Sequence, residues 1–176
     1  MPADAFVAQL NEQIANEFAA HQQYLACAVY YDDETLPQLA GFFYRQAVEE
    51  REHAMMMVQY LMDTGAPARI PGVAAPVSEF ADVVAPIALA LEQEKRVSDQ
   101  INALAATARQ ENDFSSEQFM QWFIKEQVEE VATMNDLLRV AERSRADVHD
   151  IEDYIAREQT GEESDATAPR AAGAGA

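Results

Sequence analysis

Cysteine is almost absent from this chain. The single Cys27 excludes an internal disulfide and a cysteine-based zinc site, and it suits a reducing cytosol. No apolar run reaches the ~18 residues needed to span a bilayer. The opening residues, Met1 to Ala5, lack the basic start and apolar stretch of a signal peptide. Positive charge is scarce too: 12 Lys and Arg stand against 31 Asp and Glu, a formal charge of -19. All but two units of that charge fall within residues 1–158, so the acidity belongs to the folded body. Such a body repels nucleic acid and anionic membrane and attracts cations. The reading is of a cytoplasmic, acidic protein with no nucleic-acid or membrane partner.

Glycine and proline are missing from residues 3–36 and 87–160. Breaker-free runs of that length, rich in Ala, Leu, Glu, Gln and Met, predict long helices. The expected helices lie at about 4–31, 36–64, 82–111 and 115–143, with a short fifth at about 147–158. Thr35 to Gln38 and Ser115 to Gln118 read as capping boxes that start the second and fourth helices. Residues 1–158 form one bundle domain, and residues 159–176, rich in Gly, Ala, Ser, Thr and Glu, are expected to be disordered. The first and second helices, like the third and fourth, are joined by short turns and should form antiparallel hairpins. The middle joint spans roughly 17 residues and reaches roughly 55 Å when extended. A helix of about 29 residues is roughly 43 Å long. The joint can therefore return along the whole bundle, which gives an all-α four-helix bundle with one long crossover plus a short fifth helix.

Each long helix carries an apolar stripe at alternating three- and four-residue spacing. In the first it runs through Leu10, Ile14, Glu17, His21 and Tyr24; in the second, through Phe43, Ala47, Glu50, Ala54 and Met57. The third has Ala90, Glu94, Val97 and Ile101, and the fourth Phe123, Gln127, Glu130 and Met134. Every stripe is broken near its midpoint by a carboxylate, so Glu17, Glu50, Glu94 and Glu130 should converge in the core, joined by His53 one turn after Glu50. No Lys or Arg lies on these stripes. Four buried carboxylates cannot all ionise without a positive centre among them. Oxygen ligands with one imidazole and no sulfur suit iron or manganese, and Glu-x-x-His with further glutamates fits a two-metal carboxylate site.

Other positions keep two readings. Tyr24 is a redox partner of the metals or a core tyrosine with a satisfied hydroxyl. Glu49, Glu126 and Glu129 are a further metal position or a solvated acidic face. Trp122 reads as packing or interface, Met55 to Met57 as filler, and Cys27 as a small buried hydrophobe. His21 and His149 carry no clear constellation.

The segments Glu17 to Tyr24, Glu49 to His53, Glu94 and Trp122 to Glu130, with the long crossover, resemble the ferritins of the non-haem bacterial class. Residues 42–54 and 117–123 are most similar to actinobacterial ferritins. The resemblance spans about residues 4–158 and implies a ferroxidase that stores iron in a homo-oligomeric shell of 24 subunits. It implies a first iron position at Glu17, Glu50 and His53, with Glu50 bridging to a second at Glu94, Glu130 and Gln127. Glu49, Glu126 and Glu129 match a third, looser position that shares Glu130. The fourth helix carries Gln-x-x-Glu, not a second Glu-x-x-His, which implies that oxidised iron can leave. Arg51 falls where haem-binding relatives carry a ligand methionine, so haem is not expected. The implied oxidant is dioxygen or hydrogen peroxide. Competing readings are a di-iron oxidase of an organic substrate, a DNA-protecting mini-ferritin, and a purely structural helical protein.

Overall fold

A computed structural model of the chain describes residues 1–145, 147–158 and 165–174. The helices are α1 (Asp4–Asp33), α2 (Pro37–Asp63), α3 (Ala85–Gln110), α4 (Phe114–Arg143) and α5 (His149–Glu158). Among the described residues there is no strand. Each helix lies within a few residues of its expected range. No helix is long and apolar enough to cross a membrane among the described residues.

α1 pairs with α2, and α3 with α4, while α5 rests on α2 and α4. The crossover tracks α1 from one end to the other. Asn11 donates to the Pro67 carbonyl at 2.9 Å, Gln23 exchanges two bonds with Val77, and the Tyr31 hydroxyl donates to the Val83 carbonyl at 2.7 Å. The loop therefore returns the chain to the end where α2 began, and α2 and α3 run parallel.

The helix starts differ from the capping boxes read in the sequence. At α4 the cap is Asp113, whose carboxylate accepts from the Ser116 backbone at 3.2 Å and its hydroxyl at 2.6 Å, and from the Ala3 backbone at 3.0 Å. A carboxylate outcompetes a serine hydroxyl for these donors because it adds charge to the helix dipole. At α2, Thr35 lies in the left-handed region at φ 60 and caps nothing. The first-turn N–H groups of Gln38 and Leu39 instead donate to the two oxygens of Glu152, on α5, each at 2.9 Å. Ile151 and Ile155 of the same helix are buried in the core. Glu152→Ala should therefore lower stability by about 1 kcal/mol, read as a drop in the thermal midpoint, with new protease sensitivity within residues 149–158. Unchanged melting and proteolysis would show that the two isoleucines alone hold α5.

The core is divided. One apolar cluster contains Tyr24, Tyr31, Leu39, Phe43, Ile87 and Leu137. The other contains Phe6, Leu10, Ile14, Met57, Leu104 and Phe123. Where one cluster gives way to the other along the four long helices lie buried polar side chains: Gln13, Glu17, Gln46, Glu50, His53, Gln93, Glu94, Gln127 and Glu130.

Of the tail expected to be disordered, residues 165–174 are described, and residues 159–164 and 175–176 lie outside the described residues. Asp165 accepts a 3.0 Å bond from the Trp122 indole, the Ala172 amide donates to the Met55 carbonyl at 3.0 Å, and Ala168, Ala171 and Ala172 pack on the second cluster.

Candidate metal centre

Helical spacing places the site. Glu50 and His53 stand three residues apart on α2 and so share a face, and Glu17 meets them from α1. One ligand atom from each lies within 4.8 Å of the others, the one such group among the described residues. His53 Nδ1 is 3.6 Å from Glu50 Oε2. All three side chains are buried, as are Glu94, Gln127 and Glu130.

Glu94 joins through hydrogen bonds. The Tyr24 hydroxyl donates to Glu94 Oε1, and Gln127 and Glu50 also bond Glu94. Ser98 Oγ donates to Gln127 Oε1 at 3.0 Å, which turns the amide N–H of Gln127 toward Glu94. Glu130, from α4, faces Glu94, Glu49 and Glu126 and takes its hydrogen bond from Gln46. On α1, Gln13 Nε2 donates to Glu17 Oε1 at 2.8 Å. Sequence pattern alone does not single out Gln13, Gln46 or Ser98. The signal for each is helical spacing: Gln13 is four residues before Glu17, Gln46 four before Glu50, and Ser98 four after Glu94.

Burial and mutual repulsion dominate the electrostatics. Burial raises the Glu50 carboxyl well above the ordinary range, and Glu94 and Glu17 add to the rise. Burial likewise lifts Glu94, to about 7, although bonds from Tyr24 and Gln127 oppose it. Glu130 is raised by burial, then by Glu94, Glu49 and Glu126. Burial lowers the His53 imidazole, favouring the neutral, metal-binding form. It also raises the Tyr24 phenol, with Glu94 next in size. Three buried oxygens, Glu17 Oε2, Glu50 Oε2 and Glu94 Oε2, have no hydrogen-bond partner. Carboxylate oxygens left bare in a dry core are costly unless protonated or bound to a cation. The donor set fits iron.

The flanking residues divide. Glu49 is half-buried and accepts from Gln46. Glu126 is half-buried with its carboxyl raised by burial and by Glu129. Glu129 is exposed and pairs with Lys125 at 3.8 Å. Trp122 packs edge-on to His53, ring centroids 5.6 Å apart. The Cys27 thiol, pushed up to about 12 by burial, is chemically quiet. His21 Nδ1 bonds the Ala47 carbonyl at 2.6 Å, and His149 is exposed.

A four-helix bundle with one full-length crossover and a buried carboxylate–imidazole cluster at mid-height defines the ferritin-like class of metal-handling bundles. A family model described as a ferritin-like domain matches residues 7–144. The chain is 52% identical to ferritin BfrB of Mycolicibacterium smegmatis over 168 residues, 96% of this chain and 93% of that one. It is 37% identical to a bacterial non-heme ferritin of Staphylococcus aureus over 141 residues, covering 78% and 85% of the two chains. An open-pore ferritin from Archaeoglobus fulgidus superposes with a TM-score of 0.85 at 29% identity, covering 91% of this chain and 99% of that one. The chain belongs to the ferritin family, whose work is iron storage.

Proposed function

We propose that this chain is the subunit of a shell-forming ferritin that oxidises Fe(II) at an internal two-iron site and passes Fe(III) to a stored mineral. The observation that carries this reading is the buried Glu17, Glu50 and His53 group, with carboxylate oxygens that no protein donor satisfies. Glu17, Glu50 and His53 would hold one Fe(II). Glu50 would bridge to a second, held by Glu94 and Glu130, with Gln127 beside it. Two Fe(II) ions each give up one electron, and dioxygen takes the pair with two protons to become hydrogen peroxide; peroxide can serve as oxidant in turn.

The chain's own contribution is placement and charge. The site brings carboxylates whose repulsion falls when cations enter, so loading is favoured by the strain of the empty site. Protons held by Glu50, Glu94 and Glu130 leave as iron binds. Tyr24 holds Glu94 through its hydroxyl and stands where it could also pass an electron to the irons. Glu49, Glu126 and Glu129 form a third, looser position that takes oxidised iron onward. Phe43 packs on Tyr24, and Phe123 packs on both His53 and Phe119, filling space that an organic substrate would need, which favours iron over such a substrate. The full ligand set lies on one chain, unlike a mini-ferritin site shared between subunits. Arg51 offers no thioether, so haem has no ligand there.

We further read the protein as cytoplasmic and assembled into 24 subunits. At -19 per chain such a shell draws Fe(II) toward its openings. The test joins an absorbance trace after Fe(II) and air with size by gel filtration. Rapid growth of Fe(III) absorbance in a large, soluble species is expected. A small species that neither binds nor oxidises iron would favour a purely structural helical protein.

A further inference from the structure

The α2 side chain that the two-iron reading leaves unused is Gln46. It is only 6% exposed, and it lies three residues before Glu49 and four before Glu50 on one helical face. Its amide nitrogen donates to Glu49. The same side chain hydrogen-bonds Glu130 and steadies that carboxylate's ionised form. Gln46 therefore stands where a carboxylate assigned to the second iron position meets one assigned to the third. Its carbonyl oxygen, Oε1, is buried and has no hydrogen-bond partner.

That orphan oxygen is informative. An amide buried in a protein normally satisfies its carbonyl, and leaving it bare is costly. Here the N–H end is turned to the carboxyls of Glu49 and Glu130, which leaves the oxygen without a donor. Turning the amide over would set its oxygen against those carboxylates. A cation between Glu49 and Glu130 removes the conflict, because all three groups can then present oxygen to it. Neutral amide oxygen is also a suitable hard ligand for an ion that must be held loosely and released, since it adds no charge.

We propose that Gln46 is a positioning residue that holds Glu49 and Glu130 apart in the empty site and lends Oε1 to a cation between them, as the step from the two-iron centre to the third position. This inference rests on the third-position reading given above.

The test uses metal-free, fully assembled protein and Zn(II) alone, a redox-inert probe. Calorimetric titration gives affinities, and anomalous diffraction at the zinc edge gives positions. In the wild type, a weaker third zinc is expected beside Glu49 and Glu130, with Gln46 Oε1 within ligand distance. Gln46→Leu should weaken that zinc by about tenfold or more, with the zinc at Glu17, Glu50 and His53 unchanged. Gln46→Glu, which keeps an oxygen and adds charge, should bind the third zinc at least as tightly as the wild type. A third zinc of wild-type affinity in Gln46→Leu, or one that sits at Glu126 and Glu129 without touching Gln46, overturns this inference and leaves the third position standing. No zinc at any of Glu49, Glu126 or Glu129 in the wild type overturns both. Should Gln46→Leu fail to assemble, Gln46→Glu decides: a third-zinc affinity below that of the wild type overturns the inference.

Discussion

Glu50→Ala and His53→Ala are each expected to abolish rapid Fe(II) oxidation while the helical fold remains. Glu50 is the proposed bridge, so its removal takes a ligand from both iron positions at once. His53 supplies the one imidazole of the buried group, and alanine leaves nothing to replace it. The loss should amount to orders of magnitude in the initial rate of Fe(III) absorbance, since the proposed site acts by positioning two ions. The two variants should differ in stability. Without Glu50 the metal-free site loses a carboxylate that burial, Glu94 and Glu17 all disfavour in its charged form, so the thermal midpoint should hold or rise. Without His53 a cavity opens beside Trp122 and Phe123, whose rings pack against the imidazole, and the midpoint should fall. Wild-type oxidation rates in both variants would sink the two-iron assignment.

The second large effect concerns pH in the metal-free protein. Glu50, Glu94 and Glu130 all have folded-state carboxyls raised above their unfolded range. A raised carboxyl binds its proton more tightly folded than unfolded. Its favourable contribution is therefore complete below the unfolded pKa, near 4.3, and is lost as pH climbs through the folded value, about 7 for Glu94. Each tenfold gain in proton affinity on folding corresponds to about 1.4 kcal/mol, so Glu94 alone accounts for on the order of 3 kcal/mol. Denaturation midpoints of metal-free protein should thus fall steadily between pH 5 and pH 8. General relief of the acidic surface contributes in the same direction, and Glu94→Gln separates the two, because it should flatten the curve within that window. An identical slope in Glu94→Gln would place the effect on the surface. Metal binding runs the other way, weakening as acid returns protons to the ligands.

The helices and the four glutamates were legible in the sequence because both depend on one chain segment at a time. Breaker-free runs and three-four spacing are local, and a carboxylate on an apolar stripe is conspicuous wherever it falls. What was hidden depends on a distant partner. The Glu152 cap on α2 joins residues more than a hundred positions apart, and no local pattern announces it. Asp113 escapes notice because Ser115 to Gln118, just after it, already read as a capping box. Gln13, Gln46 and Ser98 are polar residues on helices full of them. Only the side chain each one meets, Glu17, Glu49 or Gln127, separates it from solvated neighbours.

The polar layer that splits the core carries a consequence for how the subunit breathes. Helices usually fray from their ends, yet here the sparsest apolar packing of α1 to α4 lies at their waists, between two dry clusters. In the metal-free state the waist is held by protonated carboxyls and amide bonds, so the two halves can open as separate cooperative units. Cations bound across Glu17, Glu50, Glu94 and Glu130 would clamp all four helices at that level and fuse the halves. Amide deuterium exchange would then slow most at mid-helix, around residues 46–54 and 126–131, with far smaller changes at the helix ends. Iron would act on this chain as cargo and as the rivet at its middle.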